Sequence, residues 1–361
     1  METFKLKTAV SFGKDALAAL EELAGGRVMV VTDDFLAKSG LLDKVKARLP
    51  SCTVETFTGV VPDPPLEVVA RGARVLADFK PQAVVAFGGG SALDCAKAMV
   101  EYGKKLGATG EISFWAVPTT AGTGSEVTSF AVLTDSQKGV KYPLVDDALL
   151  PHRAVLDPVF LAGVPAKVTA DTGMDVLTHA AEAYVAAGAN VYTDALAEKA
   201  FALAWKNLPA AFNGDQEAKG HMLLASNLAG MAFNGAGLGL SHSMAHALGG
   251  RFHIPHGRLN AMLLPHVIRF NAVRRETAER YAALAKACGL TPTARGLAFA
   301  IERLRGRLEQ PGRLSECGVD AKTVRDQGDA IAAAALADLC APSNPRSVTP
   351  QDIKAILREL V

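Results

Sequence analysis

The chain is short of cysteine, and what it has follows no pattern. Cys52, Cys95, Cys288, Cys317 and Cys340 are scattered through 361 positions without a CxxC pair. That spacing excludes a disulfide scaffold and a thiolate metal site, and leaves reduced, structural thiols. No stretch reaches the roughly 18 unbroken apolar residues that a membrane-spanning helix needs. The opening METFKLKTAVSFG sets lysines among its apolar residues and lacks the continuous apolar core of a secretory signal. A cytoplasmic protein is expected. An excess of one charge is missing too, with 38 Lys and Arg against 37 Asp and Glu. A net charge of +1 offers no footprint for nucleic acid or an anionic membrane surface. The run Val273-Arg274-Arg275-Glu276 mixes basic and acidic residues and reads as a solvated helix face.

What the chain does have is 49% hydrophobic and 21% charged residues, enough for one large core or for two domains sharing a cleft. Strand-length apolar runs alternate with helical stretches in the first half, Arg27–Val31, Ala83–Phe87 and Phe114–Val117 being the clearest. That alternation predicts a parallel α/β domain. Thr3–Ser11 reads as a further alternating strand. Beyond a loop region around Asp157–Thr169 the pattern turns Ala-, Leu- and Glu-rich with helical spacing, as in Thr193–Leu208, Ala278–Cys288, Ala294–Leu308, Ala332–Ala335 and Pro350–Leu360. We therefore expect a Rossmann-like α/β domain over residues 1–165 and an all-helical domain over 166–361. No repeat or low-complexity linker separates them.

The strand Ala83–Phe87 runs into Gly88-Gly89-Gly90-Ser91 and then the helical ALDCAKAMV. Glycines let backbone N–H groups approach an anion, and a helix N-terminus adds free donors and a positive dipole end. A nucleotide pyrophosphate fits this cradle. The triplet is not the GxGxxG fingerprint, and it also suits a simple tight turn. Asp33, ending the strand before VTDDF, offers a carboxylate to ribose hydroxyls and would repel a 2′-phosphate, which favours NAD; Asp34 is the expected helix cap. The loop PTTAGTGSEVTS follows another strand, and its Thr119, Thr120, Ser125 and Thr128 can donate to phosphate or amide oxygens. Such residues also favour turns for local reasons.

In the second half, Asp175 and His179 stand at i and i+4 of a predicted helix, on one face and within reach of a common ion. His242 and His256, in GLGLSHSMAHALGGRFHIPHG, supply the other half of a ligand set. Three imidazoles and a carboxylate suit Fe(II), Zn(II) or Mn(II) and not calcium. A lone histidine is more often a surface or satisfied core residue. Here five of the eight, His242, His246, His253, His256 and His266, crowd one apolar, Gly-rich region, where bare imidazoles would be costly to bury.

GGGSALDCAKA, PTTAGTGSEVTS, ADTGMDVLTHAAEAY and LSHSMAHALGGRFHIPHG together resemble the signatures of the iron-containing alcohol dehydrogenase family, and the resemblance spans the chain. KGVKYPL, TDALAEKA, LAGMAF and SNPR resemble its propanol dehydrogenase branch, associated with propanediol-using bacterial microcompartments. The resemblance implies Fe2+, with Zn2+ as an alternative, held by Asp175, His179, His242 and His256. It implies NAD pyrophosphate on Gly88, Gly89, Gly90 and Ser91, the adenosine ribose near Asp33 and Asp63, and the rest against Thr119, Thr120, Thr128 and Lys141. His246, one turn after His242, is the candidate proton relay, and also fits a packing histidine on the same face. His253 is left as a pocket wall.

The implied reaction passes hydride between NAD(H) and a short-chain primary alcohol or aldehyde, propanal to 1-propanol by preference, in the cleft between the domains. Ethanol or butanol dehydrogenases are alternatives. So is a dehydroquinate-synthase-like lyase, disfavoured because Arg251 and Arg258 are the only cations near the ligands. The expected associations are a homodimer or larger homo-oligomer and, by the branch resemblance, microcompartment shell or lumen proteins.

Overall fold

The computed structural model of the chain describes residues 4–107, 110–137 and 140–361. They divide into two compact units, residues 5–163 and residues 164–361, the latter joined by Phe4. The change falls at Gly163/Val164, against an expected boundary at 165/166.

The first unit carries β1 (Ala9–Phe12), β2 (Arg27–Asp33), α1 (Asp34–Lys38), α2 (Leu41–Lys46), β3 (Thr53–Val60), α3 (Leu66–Phe79), β4 (Ala83–Gly88), α4 (Gly90–Lys105), β5 (Ser113–Pro118), β6 (Phe130–Asp135), β7 (Val140–Val145) and β8 (Arg153–Leu156). Six of the strands form a parallel sheet in the order β1-β8-β5-β4-β2-β3. β6 and β7 form a separate antiparallel pair. Every residue of β4 is buried, as expected of a central strand covered on both faces. Successive side chains of β2 enter opposite cores: Met29 and Val31 pack with Val84, Ala86, Leu93 and Met99, whereas Val28 and Val30 pack with Val85, Phe87, Trp115 and Val117.

The strand order fixes where a ligand would sit. From β2 the chain proceeds to β3 at one edge, and from β4 it proceeds to β5 in the other direction, so connections diverge between β2 and β4. In open α/β sheets the crevice at the carboxyl ends of such diverging strands is the ligand site. Asp33 and Gly88 are the last residues of these two strands.

The second unit contains α5 (Ala166–Val185), α6 (Val191–Phe212), α7 (Gln216–Ala236), α8 (Leu240–Phe252), α9 (His256–Asn271), α10 (Arg275–Ala287), α11 (Ala294–Arg307), α12 (Ala321–Asp326), α13 (Gly328–Leu336) and α14 (Pro350–Glu359). No strand occurs there among the described residues. α5 is its axis, buried at every residue from Gly173 to Val185. A side chain at Gly173 would meet Leu208 of α6 at 2.2 Å, so the glycine permits close packing of the two helices. No helix is long and apolar enough to cross a membrane, among the described residues.

Two expectations change. The N-terminal strand begins at Ala9; residues 4–8 carry no strand, and Phe4 stacks on Tyr192 at 5.2 Å between ring centroids, while Thr3 lies outside the described residues. The cap of α1 is Asp33, whose carboxylate accepts from the Leu36 N–H at 2.8 Å, and Asp34 is the first helical residue.

Candidate metal centre and nucleotide site

α5 presents Asp175, His179 and Glu182 at i, i+4 and i+7, one stripe of a buried helix. α8 carries His242 and, a turn later, His246; α9 opens with His256. Ligand atoms of Asp175, His242 and His256 lie within 4.8 Å of one another. Asp175 Oδ1 is 3.7 Å from His242 Nε2 and 3.5 Å from His256 Nε2. His179 stacks on His242 with 4.5 Å between centroids, and Phe233 stacks on His179 at the same distance.

Gly257, immediately after His256, explains how α9 reaches this cluster. A Cβ there would lie 2.0 Å from the Asp171 carbonyl oxygen, so only glycine lets the first turn of α9 touch α5. Gly257→Ala must push α9 away. We expect about 1–3 kcal/mol of lost stability, read from the denaturant midpoint. A wild-type midpoint would remove this account of the PHG string.

The donors are held in forms that can bind a cation. Burial would raise the Asp175 carboxyl, but His179, His256, His242 and an N–H from Asn260 hold it below the ordinary range. Burial, and then His179, keep His242 well below its usual value and therefore neutral. Glu182, which the sequence reading passed over, sits behind His242: Oε2 is 2.6 Å from His242 Nδ1. Its oxygens also accept from the N–H groups of Gly239 and Ser241 at 3.0 and 2.6 Å, filling the N-terminus of α8. Burial pushes this carboxyl up to about 7, although those N–H groups favour the ionised form. With Nδ1 turned to Glu182, His242 Nε2 is buried and has no hydrogen-bond partner among the described residues. An orphaned, neutral imidazole nitrogen beside an ionised carboxylate is a fit for a divalent first-row ion.

Two more residues were missed. Asn260, a turn after His256, donates to Asp175 Oδ1 at 2.7 Å and lies 3.1 Å from His256 Nε2. Asp338 accepts from His246 Nδ1 at 2.8 Å. Burial opposes its charge, and the bond with His246 holds it below the carboxylate range. His246 stacks over His256 at 5.0 Å between centroids. The DxxxHxxE stripe could have revealed Glu182 and the HGRLN spacing Asn260; nothing local marks Asp338.

The five-histidine cluster divides. His266 pairs with Glu359 at 2.6 Å. His253 is exposed at the end of α8 with a left-handed backbone, φ 53°, which is a turn role and not a pocket wall. Arg258 is engaged by Asp171 at 2.9 and 3.2 Å. Asn344 of SNPR accepts from the Leu240 N–H at 3.1 Å, helping to cap α8.

In the first unit the expected nucleotide residues gather at the β2 and β4 ends. A Cβ on Gly88 would meet Ala92 at 2.6 Å, on Gly89 Thr120 at 3.4 Å and on Gly90 Thr123 at 2.7 Å. The glycine triplet and the Thr-rich loop therefore face each other closely, and Thr119 N–H donates to the Gly88 carbonyl at 2.9 Å. A cradle that side chains would fill suits a pyrophosphate. Asp63 N–H donates to Ser91 Oγ at 3.3 Å, and its carboxylate pairs with Lys141. Lys138 and Gly139 of KGVKYPL lie outside the described residues. Ser125 and Thr128 are buried, their hydroxyls 2.9 and 3.3 Å from Lys97 Nζ.

Residues 7–158 match the family described as iron-containing alcohol dehydrogenase, and residues 169–361 match the C-terminal part of the Fe-containing alcohol dehydrogenase family. The chain is 46% identical to the 1-propanol dehydrogenase PduQ of Salmonella typhimurium, with 100% of both sequences covered. It resembles a crystal structure of a 1,3-propanediol oxidoreductase at 37% identity and a TM-score of 0.92, covering 100% of both chains. It also resembles sulfoacetaldehyde reductase from Bifidobacterium kashiwanohense in complex with NAD+, at 28% identity and a TM-score of 0.89, covering 100% of this chain and 98% of that one. The chain belongs to the iron-containing alcohol dehydrogenase family.

Proposed function

We propose that the protein reduces short-chain aldehydes with NADH, propanal to 1-propanol by preference. In this reading Asp175, His179, His242 and His256 hold Fe2+, for which Zn2+ is the substitute. Gly88, Gly89, Gly90, Ser91, Thr119, Thr120 and Thr128 with Asp33, Asp63 and Lys141 hold the dinucleotide. The observation that carries the metal reading is the buried His242 Nε2, left without a hydrogen-bond partner beside Asp175.

When bound, iron supplies Lewis acidity toward the substrate oxygen and NADH supplies the hydride. The chain's own residues do the rest. Asp175 contributes negative charge; Glu182 holds His242 in the tautomer whose Nε2 lone pair is available. Asp338, ionised, fixes the hydrogen of His246 on Nδ1, so that Nε2 of this ring is the position at which a proton is exchanged. Asp33 at the ribose favours NAD over its 2′-phosphorylated form.

A small uncharged substrate is supported by the fate of the nearby cations. Arg258 is bound in fork fashion to Asp171, and Arg251 is exposed against Gln327. Neither is preset for the phosphate and carboxylate of a lyase substrate. The 46% identity to a 1-propanol dehydrogenase supports the substrate preference; the proposal extends, by the branch resemblance, to propanediol utilisation within a bacterial microcompartment, and to a homo-oligomer.

The test is NADH oxidation with propanal, on protein stripped by chelator and then reloaded anaerobically with Fe(II) or Zn(II). We expect activity to vanish on stripping and to return with one metal. No turnover with any short aldehyde, despite metal and NADH binding, would overturn the reading.

A further inference from the structure

Lys97 is 1% exposed in the middle of α4, and nothing in the reaction above uses it. Its ammonium has three hydrogens and finds three close acceptors, the carbonyls of Thr128 and Phe130 at 2.8 and 2.7 Å and Ser125 Oγ at 2.9 Å. Asp94, one turn earlier on the same helix, accepts from Ser125 Oγ at 2.6 Å with one oxygen and from the Val132 N–H at 2.9 Å with the other. The two side chains grip one segment, residues 125–132, through these five bonds and a longer one from Lys97 to the Thr128 hydroxyl at 3.3 Å.

That segment joins the Thr-rich loop to β6. At the loop's other end, Thr120 and Thr123 lie against Gly89 and Gly90, where α4 begins. Lys97 is two turns, about 10 Å, further along the same rigid helix. β6 in turn sets Lys141, which stands opposite Thr134 in the β6–β7 register. The glycine cradle, the threonine loop and Lys141 are thus all referenced to α4, two of them through Lys97 and Asp94.

The arrangement is an expensive way to fill space. Burial pushes the Lys97 ammonium down to about 8 despite Asp94 and Glu126, and burial raises the Asp94 carboxyl. An apolar side chain would occupy the volume without that cost, whereas directed bonds fix the position of a loop that would otherwise be mobile.

We infer that Lys97, with Asp94, is a positioning residue for the dinucleotide, holding the threonine loop and β6–β7 in register with the glycine cradle. The inference rests on the nucleotide site proposed above.

Lys97→Met keeps the length and removes the charge. Measured by NADH fluorescence titration of the iron-loaded enzyme, it should raise the Kd for NADH by roughly 10-fold or more, as expected for loss of hydrogen bonds to a charged group. Iron content and the KM for propanal should stay within about twofold of wild type, because the metal ligands belong to the other unit. General destabilisation would instead move all three together. Should Lys97→Met not fold, Ser125→Ala carries the test; it removes only the hydroxyl bridging Lys97 to Asp94 and should weaken NADH by roughly 3- to 10-fold. An unchanged NADH Kd in whichever variant is folded, or a parallel loss of iron, overturns the inference. Failure of the wild-type enzyme to bind NADH would overturn the site reading itself.

Discussion

Replacing His242 by alanine should leave a folded protein with no tightly bound iron and roughly one thousandth of the wild-type kcat/KM for aldehyde. Lewis-acid stabilisation of developing charge at a substrate oxygen is worth several kcal/mol, and about 4 kcal/mol corresponds to roughly a 1,000-fold change in rate. His242 is the ligand to remove because its Nε2 has no other role: it is buried, neutral, and without a hydrogen-bond partner among the described residues. The helix survives its loss, since Glu182 still accepts from the Gly239 and Ser241 N–H groups at the start of α8. The Kd for NADH should not change, because the glycine cradle and Thr-rich loop belong to the other unit. Metal analysis, steady-state kinetics and NADH titration on one preparation make the comparison. An alanine variant that keeps iron, or a tenth of the activity, would remove His242 from the ligand set.

Much of the architecture was legible because it rests on periodicity. A strand buried on both faces reads as a continuous apolar run, as Ala83–Phe87 does, and α4 follows at once after its glycines. The change from strand spacing to helical spacing after Asp157 marks the second unit in the same way. Spacing also placed Asp175 and His179 on one face of α5, because a helix converts i, i+4 into a shared face. What stayed hidden depends on approach between distant segments. Asp338 meets His246 across 92 residues, and neither neighbourhood signals it. Ser125 looked like a ligand donor, but Lys97 and Asp94 draw its hydroxyl inward. The choice between Asp33 and Asp34 as cap turned on a single residue of register, which composition does not encode. His266 belongs to the histidine cluster by sequence only: ten residues along α9 from His256, it pairs with Glu359.

Glu182 is the sharpest case, since a residue absent from the expected site should have the second-largest effect on it. Its carboxylate has acceptor oxygens only, and around them stand the N–H groups of Gly239 and Ser241 and the Nδ1 of His242. Glutamine in its place offers one acceptor oxygen and two donor hydrogens. If the amide oxygen faces the start of α8, the NH2 faces His242 and forces the tautomer with hydrogen on Nε2, which cannot bind a metal. If the oxygen faces His242, the NH2 meets the N–H of Ser241 in the interior. The first outcome lowers metal affinity, and the second leaves buried donors unpaired at about 1–3 kcal/mol. We expect Glu182→Gln to weaken iron or zinc by roughly 10- to 100-fold, the usual consequence of losing a group that orients a liganding histidine. Competition with a chelator of known affinity measures it, and a thermal melt of the metal-free protein separates the two routes. Glu182→Asp, which keeps the charge one methylene short, should recover part of the affinity. A glutamine variant with wild-type metal affinity would show that His242 keeps its tautomer without Glu182. The carboxylate would then be only the cap of α8.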